Sequence, residues 1–168
     1  VTITSSCSGE GKTFVAANLA MSLALLGKKV VVVGLDLRKP RLVALFGLKP
    51  TKQGIVNFLC GLEPDYELLE SQIIPSGIHK NMDVLPAGII PPNPAELLSG
   101  DLLPKAIDYL SKKYDYVIMD TPPVGLVSDT LMIAKLTNVT LFVARVDHSP
   151  KANFELINSL VNEEKMPN

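Results

Sequence analysis

Apolar and polar positions alternate along this chain in two different rhythms. Lys29-Val30-Val31-Val32-Val33 is a β-branched run bounded by Gly27 and Gly34, as expected for a strand of a parallel sheet buried on both faces. Comparable runs predict strands over 1–4, 82–85, 116–120 and 139–146. Between them the apolar positions recur with helical spacing, predicting helices over 13–26, 103–113 and 149–164 and shorter ones over 55–59, 94–98 and 129–135. The stretch from Pro40 to Asn81 is the least regular, with short apolar runs punctuated by Gly47, Pro50, Gly54, Gly61, Pro64 and Pro75; it is expected to pack as short helices against the sheet. Strand and helix patterns alternate without internal repeats, so the expected fold is α/β, a doubly wound and mostly parallel sheet with helices on both faces.

Composition narrows the function classes. At 168 residues the chain has the length of one domain and can bury well over half of its unfolded surface. Sixteen basic residues stand against seventeen acidic ones, a net charge of −1, which argues against a general nucleic-acid surface. Cys7 and Cys60 have neither paired nor metal-ligand spacing, in keeping with a reducing compartment. His79 and His148 lack ligand-spaced neighbours and are expected at the surface. No apolar run approaches the length of a membrane span, about 20 residues, and no signal peptide is evident.

The chemistry begins at Ser6-Cys7-Ser8-Gly9-Glu10-Gly11-Lys12-Thr13, lying between the first strand and the first helix. That is the context of a phosphate-binding loop. Glycines at 9 and 11 permit backbone conformations that turn successive N–H groups inward, at the start of a helix whose dipole favours anions. The expected nucleotide-binding set is Ser8, Gly9, Glu10, Gly11, Lys12, Thr13 and Phe14, with Lys12 reaching the outer phosphates and the Thr13 hydroxyl facing magnesium. Two other strands run into carboxylates, at Asp36 and Asp120. Strand carboxyl ends are where open α/β sheets collect ligands, so Thr13, Asp36 and Asp120 are the expected metal ligands, and Lys12, Asp36 and Asp120 the expected catalytic groups. Arg38 divides between neutralising transferred charge and a solvated loop; Lys39 and Arg41 are expected in the solvated loop. Lys28-Lys29 and Lys112-Lys113 read as solvated helix ends, Ser128-Asp129 as a helix cap, and Arg145, at a strand end, as a residue near the base or ribose. No Asn-Lys-x-Asp sequence is present to read guanine, so ATP is the expected nucleotide.

The loop, the strand ending in Asp36-Leu37-Arg38-Lys39-Pro40, the strand ending in Asp120-Thr121-Pro122-Pro123, and Leu85-Pro86-Ala87-Gly88 leading into Pro91-Pro92-Asn93-Pro94-Ala95-Glu96-Leu97-Leu98 together resemble the cytoplasmic domain of bacterial tyrosine kinases, the BY-kinases of capsular and exopolysaccharide synthesis. The resemblance spans nearly the whole chain. It implies ATP- and magnesium-dependent autophosphorylation of a tyrosine-rich tail on a neighbouring subunit. It also implies a homo-oligomeric full-length protein, a membrane-embedded chain-length regulator, fused or separate, and a place at the cytoplasmic face of the inner membrane. Residues 1–168 are expected to be a single excised core, soluble by itself, without the upstream regulatory part and the tail.

Two features depart from that pattern. Where the family carries the first of two aspartates spaced one residue apart, this chain has Gly34, which leaves Asp36 to serve both as metal ligand and as base. The four tyrosines, 66, 109, 114 and 116, all precede the region of the family's cluster. Two other functions therefore stand beside the kinase: an ATP-driven dimer switch of the partition or septum-site type, and a nucleotide-binding regulator impaired by Gly34. The dimer switches carry a lysine where this loop has Cys7.

Overall fold

The computed structural model describes residues 1–124 and 129–163. Six strands, β1 (Thr2–Ser5), β2 (Val30–Gly34), β3 (Ile74–Pro75), β4 (Met82–Leu85), β5 (Tyr116–Asp120) and β6 (Thr140–Val143), form one sheet in the order β3-β4-β2-β5-β1-β6. All neighbours are parallel except β3, which runs antiparallel to β4 at the edge. Helices α1 (Lys12–Leu25), α2 (Leu42–Leu45), α3 (Ile55–Leu59), α4 (Tyr66–Ser71), α5 (Pro94–Ser99), α6 (Leu102–Lys113), α7 (Asp129–Ala134) and α8 (Ala152–Asn162) complete the described elements.

The valine run is fully buried because each face of β2 meets a different layer. Val30 and Val32 pack with Ala16, Ala20 and Ala24 of α1, whereas Val31 and Val33 pack with α3, α5 and α6. Small residues at every fourth position of α1 let it lie close on the sheet. In α6 the buried positions are Leu103, Ala106, Ile107 and Leu110, a single helical stripe. The irregular stretch resolves into the short helices α2, α3 and α4, as expected, and adds the edge strand β3, which was not expected. Gly54 is the reason the stretch can approach the site. A Cβ there would lie 2.3 Å from the Gly88 nitrogen and 2.4 Å from the Pro86 oxygen, so only glycine lets Ile55 and Val56 donate to the carbonyls of Pro86 and Ala87.

Two expectations need correction and one, for the lysines of α6, is borne out and extended. The last strand stops at Val143 rather than 146, because residues 145–149 close a turn in which the Arg145 amide bonds the Ser149 hydroxyl and Asp147 takes φ 60°. The lysines at the end of α6 are paired as well as solvated: Lys112 with Asp108 and Lys113 with Glu70, both at 2.6 Å. His79 is half-buried rather than at the surface, its Nδ1 accepting the Asn81 amide. The helix-cap reading of Ser128 and Asp129 turns on side chains outside the described residues. Among the described residues no helix is long and apolar enough to cross a membrane.

Candidate functional site: a phosphate loop beside two carboxylates

The strands β2, β5 and β1 are consecutive in the sheet, and their carboxyl ends carry the chemistry. The loop leaves β1 and enters α1 with Gly9 at φ 91° and Gly11 at φ 98°, a backbone region that only glycine occupies without strain. Asp120 ends β5 opposite Ile3 on one side and Gly34 on the other. Its carbonyl accepts the amides of Leu35 and Asp36 at 2.8 and 3.1 Å, which fixes Asp36 just past the end of β2. The register thus brings residues 12, 13, 36 and 120 to one edge.

Two adjoining clefts open there, each of about 260 Å³. The first is lined by Ser8, Gly9, Gly11, Lys12, Thr13, Phe14 and Asp36, together with Lys39, Arg41 and Leu45. Lys39 and Arg41 lie in an exposed loop, as expected, and also line this cleft, while Arg38 does not. The second is more apolar, with Leu42, Leu48, Pro50 and Ala87 in its walls and Gly34, Asp36 and Asp120 at its inner end. Asp36 belongs to both. A Cβ at Gly34 would stand 3.3 Å from the Ala87 nitrogen and 3.4 Å from Leu42, so a larger residue there requires those neighbours to give by a few tenths of an ångström.

Asp120 is 2% exposed. Burial pushes its carboxyl up to about 6, and the nearby charge of Asp36 adds to this against the Thr13 hydroxyl bond and the Lys12 ammonium. One of its oxygens, Oδ1, is buried without a hydrogen-bond partner. An unsatisfied buried carboxylate oxygen is costly, and beside a threonine hydroxyl and a second carboxylate it is the oxygen donor set a hard divalent cation takes. The residues present therefore fit a divalent metal, with Thr13, Asp36 and Asp120 as the groups that would hold it.

Glu10 behaves differently from the rest of the expected binding set. Its carboxylate is turned out of the cleft and buried, accepting the Ser6 hydroxyl and the Cys7 amide, each at 2.7 Å, and the Ser149 hydroxyl. Burial would raise it, but those donors outweigh burial and hold it at about 2. Arg145 reaches the Gly9 carbonyl at 3.3 Å, and His148 Nε2 lies 3.1 Å from that of Ser8. Arg145 thus sits in a turn against the phosphate loop rather than at a strand end. Ser149, His148 and Asn153 were not anticipated as loop contacts; no spacing rule links them to a loop some 140 residues earlier.

Residues 1–144 match the AAA domain family. The putative tyrosine-protein kinase EpsB of Ralstonia solanacearum is 35% identical over 149 residues, covering 89% of this chain and 19% of EpsB. A putative tyrosine-protein kinase in the cps region of Klebsiella pneumoniae is 38% identical over 142 residues, 84% of this chain and 19% of that protein. This chain therefore spans about a fifth of the length of either relative. Among solved structures, the VpsO kinase domain superposes with a TM-score of 0.86 at 32% identity, over 96% of this chain and 77% of that one. The septum-site protein MinD of Pyrococcus horikoshii, in complex with Mg-ADP, is more distant, at 25% identity and a TM-score of 0.77 over 98% of this chain and 65% of its own. The chain belongs to the AAA domain family and, within it, to the tyrosine-kinase domains of the bacterial BY-kinase type.

Proposed function

We propose that this chain is the catalytic core of an ATP- and magnesium-dependent protein-tyrosine autokinase that regulates capsular or exopolysaccharide chain length and export. The observation that carries the reading is the buried, unpartnered Asp120 Oδ1 beside Thr13 at the foot of a phosphate loop. The loop amides and Lys12 bind the nucleotide phosphates, with Lys39 and Arg41 adding positive charge at the cleft wall. Magnesium, when bound, would neutralise phosphate charge between Thr13, Asp36 and Asp120. The acceptor is a tyrosine from a neighbouring subunit's tail. Its phenol oxygen forms the new bond to the γ-phosphorus as the bond to the β,γ-bridging oxygen breaks, ADP departs, and the phenolic proton passes to Asp36. Such transfer depends chiefly on positioning and charge neutralisation, so it tolerates glycine at 34. A membrane-embedded chain-length regulator, fused or separate, is the proposed activating partner, which places the protein at the inner face of the membrane.

The test is incubation of the full-length protein, with its partner, in magnesium and labelled ATP. Phosphotyrosine on the tail is the expected result. Phosphate release without phosphotyrosine would mean an ATP-driven switch instead. Gly34 favours one second reading, a nucleotide-binding regulator. It would hold if the native protein bound nucleotide but stayed unmodified while Gly34→Asp restored phosphotyrosine.

A further inference from the structure

One nine-residue segment, 145–153, places four side chains against residues 6–10 of the phosphate loop. Arg145 takes the Gly9 carbonyl, His148 the Ser8 carbonyl, Ser149 the Glu10 carboxylate, and Asn153 Nδ2 donates to the Ser6 hydroxyl at 2.7 Å. The first two contacts have a geometric meaning. A peptide unit whose N–H faces a bound phosphate must aim carbonyls of the same loop the other way, and Ser8 and Gly9 carbonyls are the ones held. The third has an electrostatic meaning. A carboxylate inside an anion-binding loop opposes its ligand, unless its charge is taken up by donors on the side away from the cleft.

Ser149 is built for that task. Its oxygen accepts the Arg145 amide at 2.7 Å, and the Ser149 amide returns to the Arg145 carbonyl at 2.8 Å. The closed turn leaves the hydroxyl proton for Glu10. Asn153, from the first turn of α8, then braces Ser6, whose own hydroxyl donates to the same Glu10 oxygen.

We propose that Arg145, His148, Ser149 and Asn153 are positioning residues for the phosphate loop, setting nucleotide affinity by holding its carbonyls outward and spending the charge of Glu10 away from the cleft. This rests on the nucleotide-binding part of the function proposed above. The role predicts a chemical signature. Cys7, partly exposed, lies in the held loop, whereas Cys60 is exposed elsewhere and serves as a reference thiol in the same molecule.

The experiment measures magnesium-ATP affinity by titration, and the ratio of Cys7 to Cys60 alkylation rates by mass spectrometry, in the parent and in Ser149→Ala, Ser149→Thr, Arg145→Ala and Lys12→Ala. Ser149→Ala should weaken binding about tenfold and Arg145→Ala roughly three- to tenfold, as loss of bonds to a charged group or from one implies. Both should raise the Cys7 to Cys60 ratio. Ser149→Thr, which keeps the hydroxyl, should restore both readouts. Arg145 is exposed, so its variant tests the idea even if Ser149→Ala fails to fold. Lys12→Ala with undiminished binding would overturn the nucleotide reading and this inference with it. Lys12→Ala that loses binding, while Ser149→Ala and Arg145→Ala bind as the parent with an unchanged thiol ratio, would overturn the positioning role alone.

Discussion

Asp120 and Glu10 are both buried carboxylates within one loop-and-strand cluster, and their environments push them in opposite directions. Asp120 titrates near 6, above its unfolded value, so its contribution to stability is full below about pH 4 and is lost as pH rises through about 6. With metal chelated, Asp120→Asn should therefore be more stable than the parent at pH 7, by about 1–3 kcal/mol. The difference should fade on acidification toward pH 4 in urea unfolding. Adding magnesium and nucleotide should reverse the order, because only the parent gains the metal. Glu10 titrates at about 2, below its usual 4.5; its contribution is present above about 4.5 and lost as pH falls through about 2. Glu10→Gln should be the less stable protein at pH 7, and acid titration monitored by circular dichroism should show the gap closing between those values. At this scale much was readable from residue type: the glycines, Lys12, Thr13 and the two aspartates stand where strand ends put them. The turn of the Glu10 carboxylate away from the cleft was not: Ser6 and Cys7 are local donors, but the third, Ser149, is brought there from 139 residues away by the fold.

Among the elements, the segment 40–81 shows how a contact can outrank local pattern. Its apolar runs are too short for periodicity to separate helix from strand, and the two-residue β3 exists only because β4 offers an edge. The decisive position is Gly54, extended in the backbone and pressed on residues 86–88. Gly54→Ala should cost about 3 kcal/mol, since the clash is with backbone that cannot rotate away. It should also weaken nucleotide-dependent activity, because Ala87 and Gly88 line the cleft that reaches Asp36 and Asp120. Equilibrium denaturation of the variant checks the first effect, and a shift confined to activity would mean the loop yields locally. Helix α5 was legible from its own residues: Pro94 suits a first helical turn, and Asn93 bonds Glu96 at 2.6 Å. The overextended β6 was not, for its end is set by docking of the following turn on the phosphate loop.

In the molecule as a whole, the four tyrosines are held away from the phosphates. Tyr116 opens β5 and Asp120 ends it, a separation of roughly 13 Å along the strand. Tyr114 donates to Asp83 at 2.8 Å, and Tyr109 bonds Glu70 while stacking on Tyr66 with ring centroids 4.6 Å apart. In-line transfer needs an acceptor oxygen within roughly 3–3.5 Å of phosphorus. Residues 1–168 alone should thus bind nucleotide without acquiring stoichiometric phosphate on any of these tyrosines, and a tail peptide supplied in trans should be the species modified. Phosphopeptide mapping after incubation with magnesium and ATP decides between the two. Stoichiometric phosphate on Tyr66, 109, 114 or 116 would mean that the acceptor is not confined to the tail.

The chain's local chemistry determined the α/β layering, the phosphate loop and the strand-end aspartates, because each depends on residue periodicity or on groups within a few positions of one another. Tertiary structure decided the remainder. Strand order brought Thr13, Asp36 and Asp120 to one edge, Gly54 let residues 86–88 close the second cleft, and the turn after β6 came to rest on the loop between β1 and α1. Those contacts join residues up to 147 positions apart. No local spacing encodes such pairs; they arise only when a parallel sheet, whose crossovers separate neighbours in sequence, returns distant strand ends to the same side.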